Sequence, residues 1–223
     1  MSSTKLTTFI KRYPWYVWSF ILLLPFIFIV LSGSVSEAII RFIDLSIGQP
    51  IVSLRNSSLT SFFIFLTDLG GTIFLGILVL LTAVLYAWKY KDRKTALWLI
   101  VQSILGAGVL NQLLKVVFQR ARPVLEHLVE QGGYSFPSGH SMGSMICYGG
   151  ILFLLSKVIH EKTLRLGLIF LGAVLILLIG ISRIYLGVHF ATDIIGGFSA
   201  GAAWLSFVIG IYPKWKTLID RRH

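Results

Sequence analysis

At 223 residues, 56% hydrophobic and 13% charged, the chain is too apolar for an ordinary water-soluble domain. A net charge of +11 would point to nucleic acid in a soluble protein, but no basic patch interleaved with aromatic residues is present, so a nucleic-acid partner is excluded. The single cysteine, Cys147, rules out a disulfide within the chain and reads as a small hydrophobe inside an apolar run.

Uncharged windows recur along the chain, each close to the roughly 20 residues that a membrane-spanning helix needs: Trp15–Val35, Thr72–Trp88, Thr95–Leu114, Ser138–Ser156, Leu166–Ser182 and Ile194–Pro213. The expected fold class is therefore all-α, a polytopic membrane protein with six transmembrane helices forming one domain over residues 1–223. Residues 1–13 read as a basic tail. Trp15, Tyr16 and Trp18 mark an interfacial belt for the first span, and Pro25 predicts a kink inside it. The length and aromatic content of that span argue against a cleaved signal peptide.

In the first outer connection Ile39, Ile40, Phe42 and Ile43 alternate with Glu37, Arg41 and Asp44. This pattern predicts a short amphipathic helix lying on the membrane, broken by Pro50. A second short helix is expected over Ser57–Asp68, ended by Gly70 and Gly71. Spans two and three form a hairpin about Lys89–Lys94, and spans four and five another about Lys157–Arg165. Pro213 is expected to end the last span. Gln102 reads as an interhelical hydrogen-bonding residue, and Asn111, one turn before Lys115, as a candidate to orient it. Gly139-x3-Gly143 and Gly197-x3-Gly201 permit close helix packing.

Placing the N-terminus inside gathers the tail, both hairpin turns and the C-terminus on one side. That side holds fourteen basic residues, Lys5, Lys11, Arg12, Arg221 and Arg222 among them, against Asp92, Glu161 and Asp220. The other side carries six basic and six acidic residues, so the whole positive excess lies on one face, as the positive-inside rule expects. The basic face is suited to anionic lipid headgroups of the bilayer.

Three polar clusters fall on the neutral, outer side. Lys115-x6-Arg122-Pro123 closes span three, and about two helical turns separate the cations, which would put both on one helix face with Pro123 ending the helix. Phe136-Pro137-Ser138-Gly139-His140 opens span four, with Ser138 as cap. A helix start of this kind leaves backbone N–H groups free at a positive dipole end, and Gly139 permits close approach of a ligand. Ser182-Arg183 ends span five, Gly187 serves a tight bend, and His189 and Asp193 open span six. Four residues apart, those two share a helix face, so the carboxylate can hold one imidazole nitrogen and leave the other free to react. Each cluster alone has a plain structural explanation, a snorkelling cation or a capped helix end. Their convergence at one membrane level supplies three cations, a helix N-terminus, two histidines and a carboxylate.

That set suits phosphoryl transfer, in which fixed donors stabilise charge on the phosphate oxygens. A histidine can attack phosphorus and a second can protonate the leaving oxygen. No P-loop indicates a nucleotide. A metal site is the weaker alternative, because three clustered cations repel a metal ion.

The order K-x6-R-P, P-S-G-H and S-R-x5-H-x3-D resembles the type 2 phosphatidic acid phosphatase superfamily of membrane lipid phosphatases. The motif-bearing core covers residues 115–193. The resemblance is strongest to small bacterial members that act on phosphatidylglycerophosphate and undecaprenyl pyrophosphate. Soluble vanadium haloperoxidases carry similar motifs, but six spans argue against that branch. The resemblance implies His189 as nucleophile through a phosphohistidine, Asp193 as its orienter and His140 as general acid. It also implies that Lys115, Arg122, Ser138, Gly139 and Arg183 hold the phosphate, with no metal or cofactor required. The expected partner is a lipid phosphate at the outer face of the cell membrane, its tail in a groove near the first outer connection. Undecaprenyl pyrophosphate is released on the outer leaflet, whereas phosphatidylglycerophosphate must flip to reach it, so the former is the expected substrate. An anion or lipid transporter is the reading from a different class, although the span interiors carry no charge to support it.

Overall fold

The computed structural model describes residues 14–220, and among them every regular element is helical. The predicted tail cations Lys5, Lys11 and Arg12 and the terminal Arg221 and Arg222 lie outside the described residues. The helices are α1 (Pro14–Val35), α2 (Glu37–Ser53), α3 (Ser57–Leu69), α4 (Thr72–Lys89) and α5 (Arg93–Ser103). A π-helical stretch, Ile104–Leu110, joins α5 to α6 (Asn111–Phe118); then follow α7 (Gly139–Val158), α8 (Lys162–Tyr185) and α9 (Ala191–Asp220). Six segments are long and apolar enough to cross a membrane, with α5, the π stretch and α6 forming one of them. Ile73, Val117, Phe170 and Trp88 stand outward, an arrangement that suits lipid and would be costly in water.

Helix α9 is the central element and packs along both α1 and α7. The α7 contact follows from small residues. A Cβ on Gly197 would sit 2.8 Å from the Ser138 carbonyl oxygen, and one on Gly201 would sit 3.0 Å from that of Met142. Gly197-x3-Gly201 thus seats α9 on the backbone of the α7 start. Gly197→Val is expected to destabilise the fold by about 1–3 kcal/mol through overpacking. The check is the thermal unfolding midpoint in detergent, which should fall while Gly33→Ala, at a position open to space, leaves it in place.

Beside Pro25, where a kink is predicted, α1 gains a specific partner. Phe26 N–H donates to Ser199 Oγ at 3.1 Å, and Ser199 Oγ donates in turn to the Leu22 carbonyl. A hydroxyl from α9 is inserted into the hydrogen-bond ladder of α1, one of the few ways a helix bends. Ser19 Oγ to Ala203 O and Ser206 Oγ to Trp15 O, both 2.8 Å, repeat the tie one and two turns further along α9.

Two prolines do not act as expected. Helix α2 runs through Pro50 to Ser53, because less than a turn remains beyond the ring and Ser53 Oγ donates back to the Pro50 carbonyl at 2.8 Å. Helix α9 runs through Pro213, its C-terminal extension anchored on the start of α5 by Trp215 Nε1 to Lys94 O at 2.9 Å and Lys216 Nζ to Asp92 at 2.7 Å. Tertiary anchors here outweigh the loss of one backbone donor. The predicted amphipathic pattern in α2 is also used differently. Glu37 and Arg41 are exposed, but Asp44 is buried and faces the protein.

A core of Leu75, Val79, Trp98, Leu99, Leu154 and Tyr212, with Cys147 buried among them, fills the bundle. Gln102 differs from expectation. Its side chain donates to the adjacent Ser103 at 2.9 Å, and its backbone carbonyl instead accepts from Trp204 Nε1 on α9 at 3.1 Å. The π stretch follows, and Gly106 leaves room for the same indole.

Candidate active site

Span three ends sooner than Pro123 implies. Helix α6 stops at Phe118, and Gln119 turns into the left-handed region with φ 44°. Arg122 therefore lies on the following loop and not on a helix face shared with Lys115. The two cations still converge, because both donate to the Tyr134 carbonyl: Lys115 Nζ at 2.5 Å and Arg122 Nη2 at 3.2 Å. Arg122 also donates to Gly132 O at 2.8 Å, Gly133 O at 3.0 Å and Val188 O at 2.7 Å.

His189 stands in the turn before α9, which starts at Ala191, so helix spacing alone does not explain its pairing with Asp193. Gly187, at φ 78°, makes the turn. A Cβ there would meet the Glu126 carbonyl oxygen at 2.7 Å, a second reason for glycine. His189 N–H bonds back to the Arg183 carbonyl at 3.3 Å. Asp193 Oδ2 accepts from Phe190 N–H at 2.8 Å, as the third residue of a capping box reaches back to its cap. The same oxygen lies 3.3 Å from His189 Nδ1 and accepts from Ser135 Oγ. On the far side of the ring, His189 Nε2 lies 3.3 Å from Arg122 Nη1. Burial pulls the His189 pKa down to about 4. Asp193 opposes that shift and the nearby cations of Arg183 and Arg122 reinforce it, so the ring is neutral at physiological pH.

The α7 start docks on the same carboxylate-bearing helix. Ser138 N–H donates to the Asp193 backbone carbonyl at 3.1 Å, and Ser138 Oγ accepts from Ser141 N–H at 3.4 Å, the expected cap. Asn111 does not hydrogen-bond Lys115. Its amide reaches Pro137 O at 3.5 Å and Met142 Sδ at 3.4 Å, and a Cβ on Gly139 would lie 3.1 Å from its Oδ1, so Asn111 buttresses the helix start. His140 lies within electrostatic reach of Lys115, Arg122, Arg183 and His189. Arg183 is buried, donates to Thr67 Oγ1 at 2.6 Å and to the Gln131 side-chain carbonyl, and keeps Nε without a partner among the described residues. Ser182 is turned away onto the Ile179 carbonyl. All eight residues singled out from the sequence thus gather at one end of the bundle.

Sequence reasoning missed several members of this end. Ser135 touches both His189 Nδ1, at 3.3 Å, and Asp193. Arg120 pairs with Asp193 and with Asp44, each at 2.6 Å. Thr67 and Gln131 hold Arg183. The available signals were weak: Arg120 lies two residues before Arg122, and Asp44 shares its helix with the exposed Glu37 and Arg41. A cavity of about 1070 Å³ adjoins the cluster, walled by apolar residues such as Ile29, Ile40, Phe118 and Phe136 and by Asp44, Arg120 and His189.

Comparison with known proteins agrees with the fold and the family resemblance. The PAP2 superfamily model matches residues 96–217. Phosphatidylglycerophosphatase B of Bacillus subtilis is 33% identical over 195 residues, covering 85% of this chain and 93% of the relative. The undecaprenyl-diphosphatase of Sulfolobus acidocaldarius is 28% identical over 204 residues, covering 89% and 90%. The crystal structure of a transmembrane PAP2-type phosphatidylglycerolphosphate phosphatase from Bacillus subtilis superposes with a TM-score of 0.79 at 31% identity, covering 88% of this chain and 96% of that one. With more than half of the chain inside the family model and a full-length relative this similar, the protein belongs to the PAP2 superfamily, as one of its multi-pass membrane phosphatases.

Proposed function

We propose that the protein hydrolyses the terminal phosphate of a pyrophosphorylated lipid at the outer membrane face, undecaprenyl pyrophosphate first among them, through a phosphohistidine. The carrying observation is the two-sided setting of His189, with Nδ1 3.3 Å from Asp193 Oδ2 and Nε2 3.3 Å from the Arg122 guanidinium. The nitrogen remote from the carboxylate faces the cation that binds phosphate. Held neutral, it keeps its lone pair for attack.

In the first step the N–P bond forms, the P–O bond to the lipid breaks, and His140 gives a proton to the departing oxygen. In the second, His140 takes a proton from water as the hydroxide forms a P–O bond, and cleavage of the N–P bond returns His189. Lys115, Arg122, Arg183, Ser138 and the Gly139 backbone hold the phosphate oxygens. Arg183 Nε, buried and without a partner among the described residues, is a donor left for that purpose. The adjoining cavity, with His189 in its wall, is suited to the first part of the lipid tail.

A second reading is phosphatidylglycerophosphate, alone or within a broader specificity that includes phosphatidic acid. It is favoured by the higher identity to the relative named for that activity. Purified protein assayed against a panel of phosphorylated lipids should give its highest kcat/KM with undecaprenyl pyrophosphate. A higher value with phosphatidylglycerophosphate overturns the first reading for the second, and binding without phosphate release supports a transporter. A chelator should leave the rate unchanged; inhibition reversed by one divalent metal overturns the metal-independent mechanism.

A further inference from the structure

Asp193 is gripped at both oxygens. Ser135, the Phe190 N–H and His189 all reach Oδ2, whereas Oδ1 is bound by Arg120 Nη1 at 2.6 Å. The same Arg120 nitrogen donates to Thr192 Oγ1 at 2.7 Å, and Nη2 donates to Asp44 Oδ2 at 2.6 Å. The second oxygen of Asp44 accepts from Thr192 N–H and Thr192 Oγ1, both at 2.8 Å. Arg120 also lies over the Phe190 ring, 4.2 Å from its centroid. Three separated parts of the chain meet here: α2, the loop after α6, and the first turn of α9.

The burial is graded. The Asp193 side chain is fully buried, that of Asp44 is 6% exposed, and that of Arg120 is 25% exposed. Two buried carboxylates on one guanidinium form a costly arrangement unless both are well bonded. Its geometry gives it a use. A carboxylate held at one oxygen can turn about its Cβ–Cγ bond; one held at both cannot. The planar fork of arginine binds two acceptors in fixed directions, which a lysine cannot do.

We propose that Arg120, clamped by Asp44, is a positioning residue for the reaction. It fixes the plane of the Asp193 carboxylate, and through it the tautomer and aim of the His189 ring. This rests on the phosphatase reading of the site. Both Nη atoms of Arg120 are already engaged by Asp193, Thr192 and Asp44, so it is not offered to the transferred phosphate. Its effect therefore falls on the chemical step and not on binding, which separates it from a plain strut between α2 and α9.

The test uses full-length protein in detergent micelles with two probes, a polyprenyl pyrophosphate and phosphatidylglycerophosphate. Arg120→Gln should lower kcat about 10- to 100-fold, the range seen when a partner that orients a reacting group is lost, with KM changed less than about threefold. Arg120→Lys, which restores the charge without the fork, should recover part of that loss. Asp44→Asn should show a smaller loss of the same kind. The double variant Asp44→Asn/Arg120→Gln should be no slower than Arg120→Gln alone, since both act through one contact chain. Thermal unfolding accompanies each assay, and if Arg120→Gln does not fold, Arg120→Lys and Asp44→Asn carry the same kcat test. A wild-type kcat in the folded variants, a loss confined to KM, or additive losses in the double variant overturns the proposal. His189→Ala serves as the reference. If it retains turnover, the phosphatase reading fails; if it is inactive while the Arg120 variants match wild type, only the positioning role fails.

Discussion

His189→Ala is expected to reduce phosphate release from any lipid substrate by a factor on the order of 10⁴ or more, the scale at which loss of an attacking side chain acts. Every other polar contact in the cluster would survive the change. Arg122 keeps its bonds to the Gly132, Gly133, Tyr134 and Val188 carbonyls, and Asp193 keeps Arg120, Ser135 and the Phe190 N–H. The variant should therefore fold and still bind lipid phosphate. An alkaline quench of wild-type protein with lipid labelled at the terminal phosphate should leave label on the chain, and the alanine variant should carry none. Turnover by the variant, or label retained on it, would remove His189 from the mechanism.

The second large effect concerns His140. Its replacement by alanine should cost about 10²–10⁴-fold in kcat for a phosphate ester, the usual contribution of a positioned general acid. The size should depend on what leaves. A phosphorylated glycerol departs as an alkoxide, which needs a proton during bond cleavage. A polyprenyl pyrophosphate departs as a phosphate whose oxygen has a pKa near 6 and can leave unprotonated. The His140→Ala defect should thus be clearly larger with phosphatidylglycerophosphate than with undecaprenyl pyrophosphate. Equal defects on both lipids would mean that His140 does not protonate the leaving group in the slow step. The comparison also reports on the second half-reaction, where both substrates share one phosphohistidine and should lose the same factor.

Much of this arrangement was legible because hydrophobic length is a strong signal and the polar clusters were few. The six spans, the Ser138 cap, the Gly187 bend and the α9–α7 glycine contact all follow from local chemistry. Errors arose where a distant partner decided the outcome. Pro213 is a helix breaker by its own chemistry, yet Trp215 and Lys216 find anchors on α5 and the helix continues. Asp44 has the spacing of a solvent-facing residue on a surface helix, and only the meeting of α2 with Arg120 and Thr192 buries it. Lys115 and Arg122 do converge, but across a left-handed residue at Gln119 that breaks the helix their spacing suggested. Ser135 carries no pattern at all; its importance comes from a loop that sets it beside His189 and Asp193.

The hydroxyl of Ser199 does more than replace one rung of the α1 ladder. The family model begins at residue 96, which invites excision of a smaller phosphatase from that point onward. Such a fragment would strip α9 of the Leu22 carbonyl and the Phe26 N–H that Ser199 serves, and would remove Phe26 from its aromatic stack with Phe118 and Phe136 beside the motif-bearing loop. It would also delete Asp44, leaving Arg120 with one anion in place of two. The matched segment is thus not a separable engine with an optional membrane anchor. Its first span is a splint, and engineering of a minimal enzyme has to keep α1 and α2 or rebuild what they hold.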